Sequence, residues 1–454
     1  MKISFVYPKT GMDKSGVSVG FPLSIMCASS KLVEKGYDVE LLDSRLGEVN
    51  PTGDVICFSV MTGYQIKDAL KIAKKVRKKN EDSFFVWGGA HPSKLPGQTL
   101  MNNLVDLVVV GEGEQVIVDL VQDIECNVNV LMKGVYRANI IKDLNDLPEL
   151  PYHLINVNDY FMNLYNSKKT LSFLSGRGCP RRCKFCTINQ IKWRQKSPER
   201  MLKEIKQLIS FGAESISVVD SNFFVNVNAV EELLELLEEN SIHVNFLVTA
   251  RADDVSKFSD KFLQRLVCNG FKELFVGVES GSQVVLDNIK KDITLLQIQD
   301  CNIKLRDVGI TPIYSFMCGF PIENIEEVFD TIDVMLQLKQ ANPNCSLTGL
   351  KLFTPYPGTS LAKECEAQGF KFPEVLEDWG DYNYNTGTFS KNKLLEKLSY
   401  VTYFLDLNNM LNFAKNPLLI LMVKAYHKIV WFRCKHKFFW FMPEWRLIKW
   451  VVNR

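Results

Sequence analysis

Leu171-Ser172-Phe173-Leu174-Ser175-Gly176-Arg177-Gly178-Cys179-Pro180-Arg181-Arg182-Cys183-Lys184-Phe185-Cys186 reads as a short apolar strand, a glycine-rich turn and three closely spaced cysteines. Three thiolates at this spacing can wrap one metal centre, and soft sulfur ligands select zinc, copper(I) or iron–sulfur clusters. A structural zinc site wants four closed ligands, usually as two separated CxxC-type pairs. No second pair follows, and the next cysteine, Cys268, falls in an expected helix. Three cysteines on a four-iron cluster leave one iron open to an outside ligand, as inner-sphere electron transfer requires. Arg177, Arg181, Arg182 and Lys184 add positive charge, which favours thiolates and an anionic cluster.

The strand ahead of these cysteines opens a regular series. Strands are expected at Leu171–Leu174, Glu214–Val219, Val244–Thr249, Glu273–Val278, Ile313–Met317 and Leu347–Phe353. Helical patterns separate them at Pro198–Ser210, Ala229–Glu239, Asp260–Cys268, Leu295–Val308 and Ile325–Leu338. Repeated strand–helix units of this kind predict a partial (β/α)6 barrel over 169–361, with its chemistry at the C-terminal strand ends.

Upstream, residues 1–130 alternate in the same way. Strands are expected at Lys2–Tyr7, Asp38–Asp43, Asp54–Val60, Phe84–Trp87 and Leu104–Val110, and helices at Pro22–Glu34, Gln65–Lys78 and Glu114–Asp123. This is the pattern of an α/β, Rossmann-like doubly wound parallel sheet, whose ligands sit beyond the carboxyl ends of the strands. The loops there (Gly11–Gly20, Ser59–Tyr64, Gly88–His91 and Gly111–Glu114) are rich in glycine and small polar residues. Residues 131–168 read as a linker punctuated by Leu147-Pro148-Glu149-Leu150-Pro151, and 362–454 as a helical C-terminal region.

The cysteine spacing at the first strand of a six-unit barrel resembles the radical S-adenosylmethionine (radical SAM) superfamily. Further blocks agree in order: Asp220-Ser221-Asn222-Phe223, Thr249-Ala250-Arg251, Gly277-Val278-Glu279-Ser280-Gly281-Ser282, Ser315–Pro321 and Thr354–Thr359. The N-terminal half resembles the cobalamin-binding domain that precedes this barrel in one subfamily. The resembling phrases are Gly36–Asp43, Gly88-Gly89-Ala90-His91-Pro92 and Asp106–Glu114. The family that the chain resembles is therefore the cobalamin-dependent radical SAM enzymes, which include methylases of unactivated carbon and an anaerobic cyclase of bacteriochlorophyll synthesis.

The resemblance implies that Cys179, Cys183 and Cys186 hold a 4Fe–4S cluster whose open iron chelates S-adenosyl-L-methionine. It suggests Glu279, Arg251, Asp220 and Asn222 as contacts to that nucleotide, and Ser59, Thr62, Gly88, Gly89, His91, Gly111, Glu112 and Gly113 as contacts to cobalamin. Three of these have an ordinary counter-reading: ion pairs for Glu279 and Arg251, a backbone-satisfied loop imidazole for His91. Many cobalamin proteins take a lower axial ligand from a DxHxxG motif. Here Asp43-Ser44-Arg45 puts arginine where that histidine would stand. Cys27, Cys57 and Cys126 raise the rival of a second cluster, but Cys57 sits within an apolar strand.

The expected activity is C-methylation of an unactivated carbon on a hydrophobic or natural-product-like substrate. The alternatives are a non-methylating oxidative cyclase and, from another class, a non-catalytic corrinoid or iron–sulfur carrier. Expected partners are a small-molecule or lipid-like substrate and an electron donor such as flavodoxin or ferredoxin.

Composition agrees with a globular enzyme. The 454 residues are 46% hydrophobic and 23% charged with a net charge of +2, which excludes a largely disordered chain and argues against a whole-molecule nucleic-acid binder. Twelve cysteines without a recognisable signal peptide read as reduced thiols or ligands, so the expected compartment is the cytoplasm. Residues 416–454 carry eight Lys and Arg against one acidic residue, interleaved with Trp431, Trp440, Trp445 and Trp450. That tail suits peripheral contact with the inner face of a membrane, or plain packing of its aromatics on the barrel.

Overall fold

The computed structural model describes residues 1–454 apart from 12, 14–18, 127–132, 165, 383–386, 412–415, 447–454 and the side chains at 408 and 409. Most of the Gly11–Gly20 loop and the end of the basic tail therefore lie outside the described residues.

Two sheets, the first parallel and the second parallel except at its Met162–Leu164 edge, organise the chain. The first contains β1 (Lys2–Tyr7), β2 (Asp38–Asp43), β3 (Val55–Ser59), β4 (Phe84–Gly88), β5 (Leu107–Val110) and β6 (Gly134–Arg137), in the order β2-β1-β3-β4-β5-β6. The order reverses between β1 and β3, which opens a crevice at the strand ends. Helices Leu23–Glu34 and Gly113–Glu125 cover one face and Tyr64–Arg77 the other. Because both faces are covered, the central strand Val55–Ser59 runs apolar and buried from Val55 to Phe58 rather than alternating.

The segment 131–168, expected as a linker, needs correction. Its β6 pairs with β5 from Leu107↔Gly134 to Val110↔Arg137 and extends the first sheet. At the other end, β7 (Met162–Leu164) forms an antiparallel hairpin with β8 (Ser167–Phe173).

The barrel follows. After β8 come a small ribbon, β9 (Gly176–Arg177) with β10 (Arg194–Gln195), and then β11 (Ser215–Val218), β12 (Asn245–Ala250), β13 (Phe271–Glu279), β14 (Thr311–Cys318) and β15 (Ser346–Leu352). The order β15-β14-β13-β12-β11-β8-β7 leaves the sheet open at both edges. Its outer helices start where side chains satisfy free backbone N–H groups: Ser197 ahead of Pro198, and capping boxes at Thr294/Gln297 and Asn324/Glu327.

The C-terminal region does more than form helices. Leu376, Trp379 and Tyr382 are buried against Ile66, Phe85 and Trp87 of the first domain. Trp379 Nε1 donates to Gln98 Oε1 at 2.6 Å. A Cβ at Gly380 would stand 2.8 Å from Lys67 Cβ, so the strap presses directly on helix Tyr64–Arg77. The last long helix, Pro417–His436, seats Val430 and Cys434 on the barrel, while Leu418, Leu419, Leu421 and Met422 stand exposed.

Candidate functional site

A cavity of about 390 Å³ lies where the two sheets' C-terminal ends meet. From the first domain it is lined by Ser59, Gly88, Gly89, Gly111, Glu112 and Gly113, and from the barrel by Leu174, Arg177 and Val219. Six of the eight expected cobalamin contacts are thus brought together. Phe5, Ile25, Val86, Val109 and Ile117 give it apolar walls, suited to a flat organic ligand. A Cβ at Gly88 would meet nothing nearer than 3.8 Å, so bare backbone faces the space there. The polar rim is small: Ser59 Oγ donates to Ser24 Oγ at 2.8 Å. These features fit part of a corrinoid held by backbone approach and apolar contact.

Thr62 and His91, also expected among the contacts, are placed otherwise. His91 is 1% exposed, its Nδ1 pairs with Thr62 Oγ1 at 3.0 Å, and its ring packs edge-on against Trp379 at 5.1 Å. Burial pushes the imidazole down to about 4, so it is neutral packing, and neither residue lines the cavity. Arg45, at the histidine position of the axial-ligand motif, is held by Asp43 at 2.6 Å and donates to Gly20 O at 2.8 Å.

An ion network that sequence reading missed joins the domains beside the cavity. Glu112 accepts from Arg194 Nη1 and Nη2, each at 2.8 Å, and from Ile141 N at 2.8 Å. Arg177 reaches Glu114 at 2.6 Å and Glu112 at 3.3 Å. Burial works to raise the Glu112 carboxyl, but these donors outweigh it and hold it below the usual range. The sequence signalled only that Arg177 added charge near the cysteines.

Two residues past Arg177 the cysteine loop begins. Gly178 has a left-handed φ of 80°, and a side chain there would collide with the backbone of Ile191 and Lys192. The loop is tied down by Lys184 N to Ile289 O at 2.9 Å, Asn189 Nδ2 to Cys183 O at 2.7 Å and Leu361 N to Lys184 O at 3.1 Å. Cys183 is buried, while Cys179 and Cys186 are partly open. Among the described residues the three sulfurs do not converge as a single-ion site. Their fit to a cluster rests on the donor set and its cations: Arg251 Nη1 lies 4.0 Å from Cys183 Sγ, and Lys291 also faces that sulfur.

The four residues expected to touch S-adenosylmethionine are committed to partners within the protein. Arg251 donates to Asp253 at 2.8 Å and to Lys291 O at 2.6 Å. Glu279 takes Lys291 Nζ at 2.7 Å, both side chains nearly buried. Asp220 accepts from Ser175 N at 2.8 Å and from the Ser175 hydroxyl, while Asn222 donates to Asp254 at 2.8 Å. They form the scaffold under the loop. Glu279, Lys290 and Asp292 all have left-handed φ values (70°, 51° and 54°), a concentration of backbone strain beside Cys183.

Comparison with known proteins agrees with this arrangement. Residues 15–121 match the B12 binding domain and residues 173–335 the radical SAM superfamily. An uncharacterized methyltransferase of Pyrococcus horikoshii is 26% identical over 80% of this chain and 82% of its own. The anaerobic magnesium-protoporphyrin IX monomethyl ester cyclase of a Synechocystis species is 25% identical over 70% of this chain and 67% of its own. Among solved structures, the cobalamin-dependent S-adenosylmethionine radical enzyme OxsB superposes with a TM-score of 0.72 at 19% identity, covering 95% of this chain and 72% of that one.

Proposed function

Because the chain belongs to the cobalamin-dependent radical SAM enzymes, we propose that it methylates an unactivated carbon of a hydrophobic or natural-product-like substrate. One observation carries the reading. The glycine-floored cavity of the first domain opens against Leu174 and Arg177, the latter two residues ahead of Cys179, so a carrier there would lie beside the start of the cysteine loop. When bound, S-adenosylmethionine on the cluster supplies the radical that activates carbon, and cobalamin supplies the methyl group.

The protein's own contribution is positional. Glu112 and Glu114 fix Arg177 at the cavity wall. Asp220 fixes the Ser175 turn that presents Cys179. Arg251 and Lys291 set positive charge against Cys183, and the apolar walls exclude water from reactive species. Reducing power comes from a flavodoxin or ferredoxin type of donor.

A second contact is part of the proposal. Among the described residues no helix is long and apolar enough to cross a membrane. The exposed Leu418, Leu419, Leu421 and Met422, followed by Lys424 and Lys428, support peripheral attachment to an anionic membrane surface.

The test is anaerobic reconstitution with iron, sulfide, cobalamin and reductant, with products read by mass spectrometry. Release of both 5′-deoxyadenosine and S-adenosylhomocysteine in the presence of a cell metabolite extract supports methylation. 5′-Deoxyadenosine without S-adenosylhomocysteine favours the cyclase-like outcome, and neither product ends the proposal. Replacing Cys179, Cys183 and Cys186 by alanine should remove the iron and both products.

A further inference from the structure

The barrel's last strand carries a lysine whose placement depends on a single irregularity. Tyr314 and Cys318 of β14 are fully buried, and Tyr314 Oη donates to Asn302 Oδ1 on the outer helix Leu295–Val308 at 3.1 Å. The alternating residues Ser315 and Met317 therefore face the lumen, and both are only half-buried. Met317 packs against the same apolar cluster as Phe185 of the cysteine loop.

The register between β14 and β15 shifts between Tyr314 and Phe316, after which Met317 pairs with Lys351. The shift sits at Gly349, whose φ is 72° and where a Cβ would meet Tyr403 N at 3.0 Å and its ring Cγ at 3.2 Å. One glycine thus turns Lys351 to the lumen face and makes room for Tyr403 beside it. The ammonium lies 4.2 Å from the centre of the Tyr403 ring.

Among the described residues no carboxylate pairs with it. Lys291 has Glu279 at 2.7 Å, Arg251 has Asp253 at 2.8 Å and Lys196 has Glu204 at 2.5 Å. Among the described residues only the Tyr403 ring accompanies Lys351, and burial without a counter-charge lowers its ammonium to about 8. Desolvating a cation without an anion is costly, and such groups gather where a ligand brings the opposite charge.

We infer that Lys351, backed by Tyr403, is the anchor for an anionic group of the substrate, a carboxylate or a phosphate, at the lumen face of β15. The inference rests on the barrel lumen being the substrate chamber. An apolar substrate with one acidic end would place that end on Lys351 and its carbon skeleton along Met317 and Phe185.

The test is acylation of lysines in the full chain at graded pH, read peptide by peptide by mass spectrometry. At pH 8 about half of the Lys351 amine is free, against roughly one part in 250 of an ordinary lysine, so early labelling is expected. A bound anion holds the proton on and blocks access. Pyrophosphate or citrate at several times its dissociation constant should slow labelling about fivefold. Protection by pyrophosphate names a phosphate group and protection by citrate a carboxylate. Absence of labelling at pH 8, failure of both anions, or equal protection by sodium chloride at matched ionic strength overturns the anchor. Assaying 5′-deoxyadenosine in the same preparation separates the two readings: cleavage without protection removes the anchor alone, and protection without cleavage removes the proposed function alone.

Discussion

Glu112, on the loop after β5, receives both terminal nitrogens of Arg194 at 2.8 Å each, and the pair joins the first domain to the ribbon that frames the cysteine loop. The side chains are only 15% and 6% exposed. Removing one partner of such a pair strands the other's charge. Glu112→Gln should therefore cost about 2–4 kcal/mol in denaturant unfolding and increase hydrogen exchange at Ile141 N–H. The pH dependence has a definite sign. The Glu112 carboxyl is held below its ordinary value in the folded protein, so its contribution is complete above about pH 4.5. It is lost as pH falls further, and the glutamine variant should lack that component. Equal stability of variant and parent across pH would remove the clamp.

His91 is neutral and enclosed by Thr62 and Trp379. In protein loaded with cobalamin and reduced to the Co(II) state, His91→Ala should leave the electron paramagnetic resonance spectrum unchanged. A protein imidazole on cobalt would add nitrogen hyperfine structure that vanishes in the variant. Such a loss would contradict the packing role.

Local chemistry was readable, and distant partnership was not. The strands Lys2–Tyr7 and Asp38–Asp43 and the helices Pro198–Ser210 and Leu295–Val308 stand at the expected residues because apolar runs and caps are written within each segment. The three cysteines were legible for the same reason. By contrast, β6 is short and half exposed, so no buried run marks it. The Trp379 strap follows neither helical nor strand spacing, and its core partners stand nearly three hundred residues earlier in the chain. Arg251 and Glu279 were placed near the cluster, but only the fold reveals that Asp253 and Lys291 already occupy them. Lys351 faces the lumen because Gly349 shifts a register, and strict alternation would have misassigned it.

Asp220 offers a titration of opposite sign to Glu112. Burial raises its carboxyl to about 6 against the opposing hydrogen bonds from Ser175 and Gly176. In the unfolded chain it ionises near 3.8, so the folded protein holds the extra proton between these values. Stability contributed by this residue is thus full below about pH 4 and falls as pH rises towards 6. Asp220→Asn removes the titration. The stability of parent minus variant should drop by roughly 2–3 kcal/mol between pH 4 and 7 and stay flat above that. A difference independent of pH would show the carboxylate to be ionised throughout.

The exposed start of helix Pro417–His436 makes the membrane reading measurable. Leu418 and Leu421 are 65% and 64% exposed, so changing them disturbs no packing. Each leucine fully buried in a lipid interface contributes about 1.5–3 kcal/mol, and nearby lysines add about 1 kcal/mol each on anionic lipid. The parent protein should sediment with phosphatidylglycerol vesicles, less with phosphatidylcholine vesicles, and less again as salt screens Lys424 and Lys428. Leu418→Glu with Leu421→Glu should weaken vesicle binding at least about hundredfold by this arithmetic. It should leave the 5′-deoxyadenosine yield from dithionite-reduced enzyme unchanged, since neither residue approaches the cavity. Equal sedimentation of parent and double variant would remove these leucines from the membrane contact.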